Sequence, residues 1–410
     1  MRDCPLPEFP DFQVRVRAGV AEFPVHHMRG GTSTGLVIQD QLAPSDLSLR
    51  EELLRHLMGV PLKDERPGNR QITGLGRGPA TSNKVFFVDT EIADERVRLV
   101  STLAQLAAAK PGIDWSVNCG NMSAALPLWA FDGGLMSAPA GPIEIKIRNT
   151  NTGVITTGRM VREIDGMFAM AQIPGVDGAF PSVDLFLQDP VGAKTGRLLP
   201  TGKVCETVAG HTVSCVDVAV PMVIADAAEF GKTGQEAPAE LEGDIAFMAA
   251  LRAVWVEAGL RMGLRRRDGA RMTADDLAHS ETIPKICIIA PPCHGGSITV
   301  RYFTPQSAHA SMAVSGGCCL AAATLIPGTV AYRFARSAIE TEAAFSETMV
   351  AIENPAGVLD TTIVARLNDG RLEVRSAAYR RSAQILLRGY VPLYRASSTL
   401  RDALVGRPEI

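Results

Sequence analysis

The chain has 410 residues, of which 46% are hydrophobic and 21% charged, and its formal net charge is −3. This is a globular composition, long for a single core, so two domains are expected. The lack of an extended basic tract argues against a nucleic-acid partner, and no uninterrupted apolar run reaches the roughly 18 residues of a membrane span. Cysteines at 4, 119, 205, 215, 287, 293, 318 and 319 form no Cys-x-x-Cys pair, and the histidines show no zinc spacing. The opening Met1-Arg-Asp-Cys-Pro-Leu-Pro has no apolar signal core. Free thiols in a reducing cytoplasm are expected, with no metal.

In chain order, Val14 to Val20 alternates weakly as a strand, Pro44 to Met58 reads as a helix, and Val85-Phe-Phe-Val88 as a short buried strand. Met122 to Phe131 is a short, apolar, alanine-containing helix. Ile143 to Ile147 alternates cleanly before the turn Asn149-Thr-Asn-Thr-Gly153. Asp165-Gly166 joins Met160–Glu163 to Met167–Ala171, and Asn368-Asp-Gly370 joins Val358–Arg366 to Arg371–Tyr379, two hairpin signals. Between them, Glu240 to Leu260 predicts the longest helix, with Leu241, Ile245, Met248, Leu251, Val254 and Trp255 facing a core. Arg265-Arg266-Arg267 follows as a solvated helix end. Cys318 to Ile326 is a second short apolar helix. Both short helices are apolar nearly all round, so each is expected to be buried.

Cys119-Gly120-Asn121 is the stretch richest in chemistry. It sits in Trp115-Ser-Val-Asn-Cys-Gly-Asn-Met-Ser-Ala-Ala-Leu126, where a polar turn runs into the apolar helix. A thiol there meets N–H groups that have no intrahelical acceptor. Their partial positive charge favours a thiolate and a bound carboxylate alike. Laid over Ser315-Gly-Gly-Cys-Cys-Leu-Ala-Ala322, it suggests an internal repeat: two β-rich lobes, each wrapped around one short helix.

Several stretches together resemble one family. Met28-Arg-Gly-Gly-Thr-Ser-Thr-Gly35 looks like the opening motif of the PrpF family of aconitate isomerases, and Gly74-Leu-Gly-Arg-Gly-Pro-Ala-Thr-Ser-Asn-Lys-Val85 like its glycine-rich segment ending in lysine. Asn118-Cys-Gly-Asn-Met122 resembles its cysteine motif. Leu199-Pro-Thr-Gly-Lys203, Val216-Asp-Val-Ala-Val-Pro221, Ser315-Gly-Gly-Cys-Cys-Leu-Ala-Ala-Ala323 and Ile326-Pro-Gly328 are similar to its middle and its second helix. Relatives include 4-oxalomesaconate tautomerases and Δ-isomerases and methylitaconate Δ-isomerase. The resemblance implies an α+β, diaminopimelate epimerase-like fold: two pseudo-symmetric lobes, each a β-barrel-like sheet around a central helix, with the active site in the cleft between them. The corresponding division is residues 1–200 and 201–410, with the last strands returning to the first lobe. Three positions depart from the pattern. Thr34 stands where Lys or Arg is usual, Asn83 intervenes before the lysine, and Asn354-Pro-Ala-Gly357 replaces a His-Pro-x-Gly.

The implied activity is a cofactor-independent isomerisation, moving a proton or double bond in an unsaturated di- or tricarboxylate such as 2-methylaconitate, aconitate or 4-oxalomesaconate. Such a reaction needs a base of suitable pKa and donors for the growing enolate charge. The resemblance assigns the acid/base role to Lys84, poised against the apolar Val85–Val88, where desolvation would lower its pKa. Cys119 is either the opposing acid/base or a positioning group. Diaminopimelate epimerase takes one cysteine from each lobe, whereas the second lobe here offers Ser315, a poor base without an activating partner.

Carboxylates are expected on Gly30, Gly31, Thr32 and Ser33, on Asn118, Gly120, Asn121 and Met122, and on Ser315, Gly316 and Gly317, with Thr81 and Ser82 adding hydroxyls. Arg29 and Arg381 fit either substrate charge partners or structural ion pairs, and His294 either the cleft or a loop. Two other readings stay open: a cofactor-independent racemase or epimerase, and a non-catalytic accessory of an aconitase-like dehydratase. A homodimer is the general expectation for a soluble enzyme. A nucleotide site on Gly74–Gly78 lacks the required glycine spacing.

Overall fold

In a computed structural model the described residues are 12–78, 82–116, 118–266, 268–335 and 344–406. The chain forms two compact units. The first takes in the chain up to Gln172, Gly178–Leu185 and the chain from Arg381 onward; the second takes in Ile173–Asp177 and Phe186–Arg380. Residues 186–200 lie with the second unit, on the far side of the expected division at residue 200, and residues 381–406 lie with the first. The chain's longest strand, Arg371–Pro392, explains the return. Its early residues pair with Gly357–Asn368, its later ones with Val20–Gly30.

The first unit is built on a strand ladder. Val20–Gly30 and Ser33–Gln39 form a hairpin closed by the pair Gly30↔Ser33. Ser33–Gln39 then pairs in parallel with Lys84–Ala93, in the register Gly35↔Lys84. Lys84–Ala93 is antiparallel to Arg96–Leu106, which is parallel to Gly141–Asn149, itself antiparallel to Ile155–Arg162.

Pleating sends alternate residues of Lys84–Ala93 to opposite faces. Phe86 and Val88 pack with Met122, Ala125, Leu126 and Trp129 of a central helical segment, Gly120–Asp132. Val85 and Phe87 pack on the other face with Leu53, Leu54 and Leu57 of the helix Leu47–Met58. That outer helix is capped at its start by the Asp46 carboxylate, which accepts from Leu49 N at 3.0 Å. Residues 122–130 of the central segment are buried, which accounts for their apolar character.

The second unit repeats this order. His211–Val218 and Val220–Asp226 form a hairpin. Val220–Asp226 is parallel to Lys285–Ala290, in the register Met222↔Lys285. The ladder continues antiparallel to Ile298–Thr304, parallel to Ser346–Asn354, and antiparallel to Gly357–Asn368. Its central helix, Val314–Ala323, packs with Cys287 and Ile289 on one face. The outer helix Ile245–Met262 packs with Ile286 and Ile288 on the other. The repeat read from two short helices thus extends through each unit's whole ladder.

The expected long helix from Glu240 is two helices, Pro238–Gly243 and Ile245–Met262. Asp244 breaks it: its backbone is extended, and its side chain caps the second helix by accepting from Phe247 N at 3.0 Å. Ile245, placed by the continuous stripe in the core, is 84% exposed. The expected 14–20 strand shortens to Arg15–Arg17, with a turn at Ala18–Gly19 before Val20. Both hairpin signals form turns where expected; Asp369 and Gly370 take left-handed φ values of 48° and 73° between the pair Asn368↔Arg371. Arg267 and the extreme N-terminal residues lie outside the described residues, and among those described no helix is long and apolar enough to cross a membrane.

Candidate active site

The first unit gathers a lysine, a thiol and a hydroxyl around the Gly30–Ser33 hairpin turn. Lys84 opens its strand and is buried, 4% exposed, on the face that carries the central helix. Burial pushes its amine below the ordinary lysine range, and negative charge on Cys119 opposes that shift. The two groups are thus electrostatically linked: ionising the thiol favours the ammonium, and removing the thiol favours the neutral amine.

Cys119 is the N-cap of the central helical segment. Its half-buried sulfur accepts from Met122 N at 3.5 Å and lies 3.9 Å from Ser33 Oγ. Its own N–H is held by Asn118 Oδ1 at 2.7 Å, and Ser123 Oγ donates to its carbonyl at 2.9 Å. The thiol is therefore fixed from both sides at the place where a helix has unsatisfied donors.

The turn and the helix start touch. A Cβ on Gly30 would stand 2.6 Å from the Asn121 carbonyl and 2.8 Å from that of Met122. Asn121 ties the two together, donating from Nδ2 to Thr32 Oγ1 at 3.2 Å and accepting at Oδ1 from Arg381 Nε at 2.7 Å. Arg29 braces the turn from behind, with Nη1 donating to Gly31 O at 2.8 Å and Ser382 O at 3.1 Å. Its guanidinium also lies over the Phe180 ring. In these contacts both arginines hold amide and carbonyl oxygens, which favours a structural task for each. The Gly31 N–H is already given to Ser382 O at 2.9 Å, so it is not the open anion donor expected of that turn. The hydroxyls at the turn are those of Ser33, which is buried, and Thr32, which is exposed.

Asn83, a departure in sequence, directly precedes Lys84 and anchors the segment before it. It is fully buried and exchanges two hydrogen bonds with Gln71: Gln71 Nε2 donates to its Oδ1 at 2.9 Å, and its Nδ2 donates to Gln71 Oε1 at 3.1 Å. It also accepts from Arg77 N and donates to Gly78 O. The glycine-rich segment is thereby tied down immediately before the lysine. Neither Asn83 nor Gln71 was expected as a functional residue; a buried amide pair leaves no periodic signal in sequence. His27, also buried in this unit, is pushed down to about 4 by burial, with the charge of Arg77 adding to the effect. Ser82 is half-buried, and Thr81 lies outside the described residues. Thr34 is half-buried with its hydroxyl unpartnered in the place of the usual cation.

The second unit's expected residues have other surroundings. Ser315 is the second residue of its helix, not the cap, and Ala313 at the cap position makes no side-chain hydrogen bond. Gly316 and Gly317 are buried; a Cβ on Gly316 would meet Tyr302 at 2.5 Å, and one on Gly317 would collide with Tyr379. Their missing side chains make room for rings, a packing task for both glycines. His294 belongs to a loop anchored by Glu353, whose carboxylate accepts from the N–H groups of Cys293, His294 and Gly296.

A buried amine, its pKa lowered by desolvation and linked to a capped thiol, on one of two repeated sheet-and-helix units, is an arrangement suited to acid–base work on a carbon acid. The chain matches the PrpF protein family over residues 20–394, and it belongs to that family. It is 31% identical over 376 residues to a 4-oxalomesaconate tautomerase of Pseudomonas putida, covering 91% of this chain and 96% of that one. It is 33% identical over 345 residues to a putative isomerase, YbhH, of Escherichia coli, covering 83% and 90%. The crystal structure of a methylitaconate Δ-isomerase superimposes with a TM-score of 0.77 at 26% identity, over 94% of this chain and 97% of that one. The chain is an isomerase, and its α+β fold is the diaminopimelate epimerase-like one the motifs implied.

Proposed function

We propose that the protein catalyses a 1,3-proton shift in an unsaturated di- or tricarboxylate, with Lys84 and Cys119 as the acid–base pair. Relatives act on oxalomesaconate, methylitaconate and 2-methyl-aconitate, acids that share carboxylates around a C=C bond. The observation that carries the reading is the buried Lys84 amine, lowered by desolvation and linked to the charge of Cys119. A neutral amine can take a proton from the sp3 carbon beside the double bond. That C–H bond breaks, its electron pair spreads into the conjugated carboxylate, and a proton returns at the far end of the allylic system. Cys119 is suited to deliver it, since its helix-start position tolerates the thiolate that remains. Transfer of the proton from the Lys84 ammonium to that thiolate restores the starting state. Thr34, in place of a cation, leaves one fewer fixed positive charge for substrate carboxylates, which favours a less charged substrate than in relatives carrying Lys or Arg there.

The test is proton NMR in deuterium oxide on 4-oxalomesaconate, methylitaconate, aconitate and 2-methylaconitate. One of these is expected to isomerise with deuterium entering the product. Lys84→Ala should lower that rate by about a thousandfold or more while the protein stays folded. Isomerisation at the wild-type rate in Lys84→Ala would remove the lysine mechanism.

A further inference from the structure

We propose that Lys285 is a second carboxylate-binding amine, built into the second unit at the position that Lys84 occupies in the first. The repeat places it there residue by residue. Lys84 is the first residue of its strand and pairs in parallel with Gly35, the third residue of Ser33–Gln39. Lys285 is the first residue of its strand and pairs in parallel with Met222, the third residue of Val220–Asp226. Pleating gives both lysines the same face. Lys84 shares its face with Phe86 and Val88, which pack on the first unit's central helix. Lys285 shares its face with Cys287 and Ile289, which pack on the second unit's central helix.

The surroundings of Lys285 suit an anion from outside the chain. It is half-buried, so its amine is partly stripped of water yet reachable. Among the described residues its amine has neither a hydrogen bond nor an ion pair. Burial alone pushes it down to about 8, with no carboxylate acting to raise it. A desolvated amine with no counter-charge is costly in either form, and an arriving anion relieves that cost. One amine without an arginine fork presents a single point charge for a compact anion. The choice of ligand rests on the proposed function, whose substrates carry two or three such groups.

The experiment acetylates the whole protein with acetic anhydride at pH 8 and reads each lysine by peptide mass spectrometry. It is run alone, with tricarballylate (a saturated tricarboxylate), and with inorganic phosphate at matched ionic strength. Tricarballylate is expected to slow acetylation of Lys285 at least fivefold, to leave the exposed Lys203 unchanged, and phosphate to protect far less. Lys285→Met should weaken tricarballylate binding by about tenfold in calorimetry. Labelling of Lys285 that ignores tricarballylate overturns the proposal, and equal protection by phosphate overturns the carboxylate assignment. The labelling is repeated in Lys84→Ala. Full turnover by that variant sinks the proposed function alone, whereas an unprotected Lys285 in the wild type sinks this inference alone.

Discussion

Substituting Gly30 by alanine tests how closely the hairpin turn and the helix start must approach for the thiol to work. The new Cβ would sit 2.6 Å from the Asn121 carbonyl oxygen, 2.8 Å from that of Met122 and 2.9 Å from Met122 Cα. All three are backbone atoms, so no side-chain rotation clears them. Restoring an ordinary 3.4 Å contact from 2.6 Å asks the helix start to retreat by about 0.8 Å. Cys119, immediately before that helix, retreats with it, away from Ser33 and from the strand that carries Lys84. Overpacking of this kind costs about 1–3 kcal/mol of stability. A misplacement near 1 Å at reacting groups costs on the order of a hundredfold in rate. The assay pairs urea unfolding with isomerisation followed by the ultraviolet change of the conjugated acid. Gly30→Ala is expected to be folded, less stable by that amount, and slowed tenfold to a hundredfold in kcat. A variant with wild-type stability and wild-type kcat would refute the reasoning, because the clash would then have been relieved without moving the thiol.

Three further outcomes follow from the same contacts. The pH profile of kcat/KM should rise through an apparent pKa below the ordinary lysine value of about 10.4. In Cys119→Ala that midpoint should fall further, since the thiolate's raising effect on Lys84 is gone; a midpoint that rises would contradict the linkage. Asn83→Ala leaves the Gln71 amide, only 1% exposed, without its reciprocal partner, and should cost about 2–3 kcal/mol and lower kcat more than it raises KM. Unchanged urea midpoints would show that the loop is held elsewhere. Glu353, lowered from 4.5 to about 2 despite burial because three N–H groups and Thr299 donate to it, contributes stability present above pH 4.5 and lost as pH falls toward 2. Glu353→Gln should remove about 2–3 kcal/mol at pH 7 and flatten that acid limb; an acid limb identical to wild type would assign it to other carboxylates.

Local chemistry made part of this fold legible. Asp165-Gly166 and Asp369-Gly370 announce their turns because few residues take left-handed backbone without cost. The central helices announce themselves by being apolar on all sides. The parallel pairings Gly35↔Lys84 and Met222↔Lys285 were not legible, because the partners lie about fifty and sixty residues apart and no periodicity links them. Lys285 carries no signal in sequence for that reason: its equivalence to Lys84 exists only in the register. Asp244 shows a different blindness. An apolar stripe runs through it unbroken, and only its side chain's preference for capping stops the helix. Within the site, Lys84 and Cys119 were legible through motif resemblance, and the helix-start position of the thiol through composition. The amide pair of Asn83 and Gln71 was not, since its partners are fixed by loop geometry.

Gly120 and the pair Gly316-Gly317 look alike in sequence, as small residues opening an apolar helix, yet they do opposite things. In the first unit the cap residue is the thiol, and its sulfur takes the Met122 N–H. The sulfur and the Ser33 hydroxyl then share one end of the helix. In the second unit the serine sits one turn-step inside its helix behind an alanine cap, and the glycines are sealed under Tyr302 and Tyr379. A serine so placed has no base within hydrogen-bond reach among the described residues, and the two glycines after it leave room for the rings of Tyr302 and Tyr379. The missing second thiol is therefore one part of a wider change: the helix start of the second unit is built for packing. The strand-opening lysine, by contrast, stands in both units on the same face and in the same register. On the proposal for Lys285, Ser315→Ala should leave turnover within about twofold of wild type, whereas Lys285→Met should lower it.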